Sequence, residues 1–130
     1  MNKIPCIIKK ILYDEGIAFV RLEFREHFLS AMLLEGNHQL KEGSRAQAIF
    51  KETEVMVCDK EYFKISARNR FVSKVLRIEM GQAIARIIFE FEGLEIASLI
   101  SLEACKELGI EKNKVFQWFV KSSEVMLEYD

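Results

Sequence analysis

The sequence repeats itself, and this duplication limits the possible fold more than any other feature. With a shift of 67 positions, the separation of Asn2 from Asn69, identical residues coincide along the first third of the chain. After Leu33 the shift becomes 70, and KETEVM at 51–56 aligns with KSSEVM at 121–126. Such an ordered block is hard to attribute to chance. We predict two tandem copies of one small unit, at residues 1–60 and 66–130, joined by the charged stretch 59–64.

Two explanations for the duplication remain open. A unit of about 60 residues is marginally stable alone, so pairing two copies enlarges the buried core. Alternatively, the symmetric interfaces between copies provide places where ligands bind in pairs.

Apolar residues follow a short, mostly two-fold rhythm, which indicates β-strands. In residues 85–91 apolar side chains alternate with others, and Glu90 and Glu92 mark the solvated face. Glycines or charges separate ten such runs, which favours small barrels or sandwiches. The predicted strands are 6–12, 17–24, 29–34, 46–50, 55–58, 72–78, 85–91, 96–100, 115–120 and 125–127. One short helix is predicted after Ser101 as N-cap, and Gly109 suits its left-handed end.

Composition excludes several classes of protein. Nineteen basic and twenty acidic side chains give a net charge of −1, which argues against nonspecific nucleic-acid binding. Three widely spaced cysteines indicate free thiols and neither a disulfide framework nor a zinc site. Neither a signal-peptide core nor a run of about 20 apolar residues occurs, so a soluble cytoplasmic protein is expected.

Two motifs in the second copy resemble the molybdenum-binding Mop module, also called the TOBE domain. They are ISARN at 65–69 and KSSEVML at 121–127, with Gly81 and Ser101 at further family positions between them. The resemblance implies two tandem OB-like five-stranded barrels, mostly β, each with at most one short helix. Two-module proteins of this kind look like molbindins, which form homo-oligomers, commonly trimers, and bind molybdate or tungstate where modules meet.

The resemblance also implies which residues hold the oxyanion. Ser66 and Arg68 stand at the family's S-A-R-N positions, and Lys121 with Ser122 stands at its K-A-S positions. Ser101 takes the place of the family's threonine, and Lys51 is the counterpart of Lys121 in the first copy. A tetrahedral dianion offers acceptors only, so cationic groups, hydroxyls and free N–H groups suit it. The ion is carried intact, and no direct cation ligands are expected.

Several positions depart from the family pattern, mainly in the first copy. The Ser-Ala-Arg positions before Asn2 are missing, and Leu34 stands where Ser101 stands in the second copy. Ala104 replaces a second family hydroxyl, for which Asn37 is the nearest counterpart in the first copy. Glu52 follows Lys51 and would repel a dianion unless its carboxylate points away.

Other residues favour ordinary structural roles. His27 and His38 have no metal-ligand spacing and are expected in surface loops. Phe63, Phe71 and Trp118 are expected to pack in the core rather than to stack on nucleic-acid bases. Neither a nucleophile–base pair nor a phosphate-binding loop is recognisable, so an enzyme is not expected.

The sequence therefore favours an intracellular oxyanion-binding protein that stores, buffers or balances molybdate or tungstate. An alternative stays open: a ligand-poor interaction or sensor module that acts through a partner of the molybdate transport or regulation system.

Overall fold

A computed structural model describes residues 1–34, 36, 40–62 and 64–129 of the chain. The expectations for Asn37, His38 and Phe63 lie outside these residues.

Within the described residues, strands dominate, and all ten predicted strands are present. They are β1 (Asn2–Asp14), β2 (Ile17–Phe24), β3 (His27–Leu34), β4 (Arg45–Phe50), β5 (Met56–Cys58), β6 (Asn69–Met80), β7 (Ile84–Phe91), β8 (Leu94–Ser101), β9 (Val115–Val120) and β10 (Met126–Tyr129). One α-helix, α1 (Leu102–Leu108), follows β8, as predicted. The Ser101 hydroxyl accepts from the Ala104 N–H at 3.0 Å, and Gly109 ends the helix at φ 66°.

One short 3₁₀ turn precedes the last strand of each copy. The first 3₁₀ turn spans Glu52–Glu54 and the second spans Ser122–Glu124. Lys51 and Lys121 immediately precede them in extended conformation. Both candidate lysines are therefore held at the point where the chain leaves one strand and turns towards the next.

The ten strands form two five-stranded antiparallel sheets that exchange their last strands. One sheet has the order β10-β4-β1-β2-β3, and the other has the order β5-β9-β6-β7-β8. Met126 of β10 lies opposite Ile49, and Met56 of β5 lies opposite Phe119. Each copy thus completes the sheet of the other, and the division into modules 1–60 and 66–130 stays a prediction from the repeat.

The two sheets share one irregularity at matching positions. The register between β1 and β2 shifts between Ile8 and Lys10, and that between β6 and β7 shifts between Val75 and Arg77. The extra residues, Lys9 and Leu76, are separated by the 67 positions of the repeat. A bulge bends a strand and increases its twist, so both long first strands curl in the same way.

One continuous hydrophobic core joins both copies. Trp118 is fully buried, and its ring stacks on Phe50 of the other copy with centroids 6.0 Å apart. Phe71 packs against Trp118 at 5.0 Å, as the prediction of core packing requires. The alternation in β7 has one exception, since Ile88 on the Glu90 side is buried where the start of β1 lies against β8.

Candidate functional site

Two cationic side chains lie next to each other at one end of β6 and β9. Asn69 and Val120 form the last pair of this ladder. Arg68 and Lys121 are the next residues on the two strands, and both side chains are exposed. The Arg68 guanidinium donates to the Ile65 carbonyl at 3.3 Å, a weak contact that leaves most of its donors available. Antiparallel pairing therefore brings together two residues that are 53 positions apart.

Hydroxyl groups lie directly behind this cationic pair. The Ser122 hydroxyl is buried and lies 2.5 Å from the hydroxyl of Ser30 on β3. The Ser30 N–H donates to the Asn69 side-chain oxygen at 2.7 Å, and the Asn69 amide donates to the Ser30 carbonyl at 2.9 Å. The ISARN and KSSEVM motifs thus meet on one residue of the first copy.

We call Ser30, Ser66, Arg68, Lys121 and Ser122 the Lys121 cluster. Among the described residues, no hydrogen bond or ion pair engages the side chains of Ser66 or Lys121. The N–H groups of Ser122 and Ser123 start the second 3₁₀ turn and have no partner inside it. The cluster contains two positive side chains and no carboxylate, so its formal side-chain charge is +2.

The repeat places a second group of residues around Lys51, with different chemistry. The Glu52 carboxylate accepts two hydrogen bonds from the Arg86 guanidinium, at 2.7 and 3.0 Å. Arg86 also donates to Glu79 at 3.2 Å. Lys51 is exposed and makes no hydrogen bond or ion pair within the described part of the chain.

We assign Ser101 to this second group by its strand, because β8 pairs with β7 at Arg86 and Leu99. Ser101 ends β8, and β8 packs against the first 3₁₀ turn, whereas the second 3₁₀ turn packs against β3. We call Lys51, Glu52, Glu79, Arg86 and Ser101 the Lys51 cluster. Its formal side-chain charge is zero, since two cationic side chains face two carboxylates, and the N-terminal ammonium of Met1 also lies 3.6 Å from a Glu52 oxygen.

The pKa values of the Lys51 cluster reflect this pairing. Hydrogen bonds from Arg86 lower the pKa of the Glu52 carboxyl below its usual range, and the positive charge of Arg86 adds to this. The same carboxylate raises the pKa of Arg86. Glu52 therefore stays ionised at neutral pH, and its carboxylate does not point away from the cluster but is held by a guanidinium.

The structure thus places Arg68, Lys121 and Ser122 at one end of the ladder between β6 and β9, with Ser66 two residues before Arg68, and it places Lys51 and Ser101 elsewhere in the same chain. Sequence reasoning missed Ser30, Asn69 and Arg86 as members of these groups. The identity of Asn2 and Asn69 in the repeat was a usable signal for one of them. Arg86 had no such signal, because its partner Glu52 is 34 positions away and on the other copy.

Other features of the described residues offer little alternative chemistry. They contain no group of three or more His, Cys, Asp or Glu side chains arranged to hold a metal ion. None of their helices has the length and apolar character needed to cross a membrane. All three cysteines are free thiols, and burial raises the pKa of Cys6 to about 12.

Comparison with known proteins identifies a family and relatives that match about half of this chain. The TOBE domain family matches residues 65–127. Molybdenum-pterin-binding protein 2 of Clostridium pasteurianum is 38% identical over 64 residues, which are 48% of this chain and 94% of that protein. A probable molybdenum-pterin-binding protein of Haemophilus influenzae is 38% identical over 65 residues, which are 49% of this chain and 94% of that protein.

A solved structure matches both copies together. It is a crystal structure of the cytoplasmic molybdate-binding protein ModG with molybdate bound. The TM-score is 0.93, and the sequences are 25% identical. The match covers 99% of this chain and 96% of that one.

Proposed function

The chain belongs to the TOBE domain family, and from this premise we propose that it binds molybdate or tungstate as an intact oxyanion at the Lys121 cluster. The relatives named for molybdenum binding and the likeness to a molybdate-binding protein support this ligand. The residues of the site are part of the proposal.

One observation carries the assignment to the Lys121 cluster rather than to the Lys51 cluster. Arg68 and Lys121 lie side by side without a carboxylate, whereas Arg86 in the Lys51 cluster is already bound to Glu52. A formal charge of +2 matches a dianion, and a formal charge of zero does not. The uncompensated charge at Arg68 and Lys121 is therefore the feature that selects the site.

The donors of the cluster suffice for useful affinity. Arg68, Lys121, Ser66 and the N–H groups at the start of the second 3₁₀ turn offer several charge-assisted hydrogen bonds. Each contributes about 1.5–3 kcal/mol, whereas association costs at least about 4 kcal/mol. Five donors that contribute about 2.5 kcal/mol each therefore give a dissociation constant of about 1 μM.

A second copy of the chain completes the site in this proposal. The cationic groups are exposed in a single chain, where water and salt weaken their attraction for an anion. The outer face of β3 beside Ser30 carries exposed Phe28 (52%), Met32 (43%) and Leu34 (78%). An apolar edge strand next to a ligand cluster suits self-association, and a trimer is the form that the family resemblance favours.

The proposed biological role is to bind the oxyanion without catalysing a reaction. The relatives named for binding molybdenum and the likeness to a molybdate-binding protein support a binding role for this chain. The protein holds and releases the ion in the cytoplasm, as storage, buffer or homeostatic carrier, and catalyses no reaction. Direct contact with nucleic acid or membrane is not part of this role.

Replacing Arg68 tests the site. We expect Arg68→Ala to weaken molybdate binding at least about ten-fold, because one charge-assisted donor pair is lost, and Arg68→Ala with Lys121→Ala to abolish it. Isothermal titration calorimetry measures both. Arg77→Ala is the matched control, since Arg77 is an arginine further along the same sheet that binds Glu95 at 2.8 Å.

Unchanged affinity in the Arg68→Ala variant would refute the assignment of the site. If the native protein itself produces no heat with molybdate, the function of a ligand-poor interaction module becomes the better account.

A further inference from the structure

The repeat allows the two clusters to be compared position by position. Glu52 in the Lys51 cluster corresponds to Ser122 in the Lys121 cluster, at the shift of 70. At the shift of 67, Arg86 corresponds to Phe19 and Glu79 to Leu12. The strand pairings agree with this correspondence, since Glu79 lies opposite Arg86 and Leu12 lies opposite Phe19.

The first residue of each 3₁₀ turn makes a different side-chain contact in the two copies. In the second 3₁₀ turn the Ser122 hydroxyl reaches Ser30 of β3. In the first 3₁₀ turn the position equivalent to Ser30 is Ala97, which has no hydroxyl, and the Glu52 side chain instead reaches Arg86. An anionic group therefore occupies the Lys51 cluster, and it comes from the chain itself.

The Glu52 carboxylate presents two oxygens to the guanidinium in the way that an oxyanion does. Both of its oxygens accept from Arg86, and only 22% of the side-chain surface of Glu52 is exposed. Arginine binds carboxylates and tetrahedral oxyanions through the same fork of two N–H groups. Lys51 directly precedes Glu52 in the chain and has no ion-pair partner among the described residues.

We propose that the Lys51 cluster is a second oxyanion position, with Arg86 and Lys51 as its cationic residues, that the chain closes with its own Glu52 carboxylate. Glu79 strengthens the closure, since it adds a second carboxylate at 3.2 Å from Arg86. This inference rests on the proposed function, because it names the same ligand class, a tetrahedral dianion. Its consequence is that only one of the two clusters in each chain accepts molybdate.

The repeat supplies the substitutions that test this closure. Glu52→Ser introduces the residue found at the equivalent position, and Glu79→Leu does the same for the second carboxylate. Glu52→Ser changes the formal side-chain charge of the cluster from zero to +1, and the double variant changes it to +2. If the inference is correct, each variant binds one additional molybdate per chain, and the double variant binds it at least about ten-fold more tightly.

The experiment is a titration with molybdate, with sulfate in parallel, of variants built in two backgrounds. In the native background the additional ion adds to the one bound at the Lys121 cluster. In the Arg68→Ala, Lys121→Ala background it is the only ion expected, so the two sites are counted separately. Glu92→Gln is the matched control, because it removes another arginine–glutamate contact, to Arg25 at 3.7 Å, outside both clusters.

The outcomes separate the inference from the proposed function. Binding by the native protein with no additional ion in Glu52→Ser or the double variant would overturn the inference and leave the function intact. Absence of binding by the native protein would remove the function first. Circular dichroism checks the fold of each variant, and Glu52→Gln, which keeps the side-chain volume, decides the question if Glu52→Ser does not fold.

Discussion

At the scale of single residues, two asparagines cap the open edges of the sheets. Strands β3 and β8 are edge strands, with hydrogen-bonded neighbours on one side only. On the open side, Asn69 satisfies the N–H and C=O of Ser30, and Asn2 does the same for Ala97 at 2.8 and 2.9 Å. Unpaired backbone groups at an edge are costly when buried and prone to aggregation when exposed. Each asparagine thus acts as a single-residue replacement for a neighbouring strand and ties one copy to the other.

Removal of one such cap is expected to destabilise the whole protein. Asn69 is completely buried, so Asn69→Ala leaves the N–H and C=O of Ser30 without partners. We expect the free energy of unfolding to fall by about 2–4 kcal/mol, measured by denaturant titration. Lys74→Ala, at an exposed position of the same strand, is the control and is expected to change it by less than about 0.5 kcal/mol. Equal stability of Asn69→Ala and Lys74→Ala would show that the cap has no energetic role.

At the scale of elements, the strands could be predicted but their exchange could not. Hydrophobic alternation is a local signal, and it located all ten strands, with the ends of Ile17–Phe24 and Val115–Val120 placed correctly. β1 and β6 run further than predicted, because their polar ends are paired through backbone groups that leave no mark on hydropathy. β5 and β10 each pair with the sheet of the other copy. Because the two sheets are nearly equivalent, the sequences of the short segments Met56–Cys58 and Met126–Tyr129 do not indicate which sheet each one joins.

The candidate site was likewise only partly predictable from the sequence. The motif resemblance predicts Ser66, Arg68, Lys121 and Ser122 as site residues, and the ladder between β6 and β9 places Arg68 and Lys121 at the same end of the two strands. Motif position alone did not reveal that β8, the strand that ends at Ser101, packs against the first 3₁₀ turn, because that depends on how the two sheets pack. The pairing of Glu52 with Arg86 likewise depends on contact between copies, which no local pattern records.

The exchange of strands predicts how a single copy behaves when it is separated. A fragment of residues 66–130 lacks β5, so the outer edge of β9 has no partner, and its own β10 has lost β4. Because β5 and β10 are repeat equivalents, we expect β10 of one fragment to pair with β9 of another. Size-exclusion chromatography with light scattering should show a folded dimer or larger assembly. A folded monomer would contradict this, since β10 would then have to fold back onto its own β9.

At the scale of the whole molecule, duplication has produced two similar frameworks with different electrostatics. The sheets share their strand order, their bulges, their 3₁₀ turns and their asparagine caps. The Lys121 cluster is cationic and carries no carboxylate, whereas the carboxylates of the Lys51 cluster neutralise Arg86. One copy thus carries the uncompensated cationic residues, and the other supplies Ser30 and core residues that pack against it.

The most direct test of this account is a calorimetric titration of the purified native protein with molybdate, with tungstate and sulfate in parallel. The account predicts a dissociation constant at or below about 1 μM for molybdate and for tungstate, since both are tetrahedral dianions of nearly equal size. It also predicts one ion per chain and no response to sulfate. A folded protein that gives no heat with any of the three ions would contradict the account.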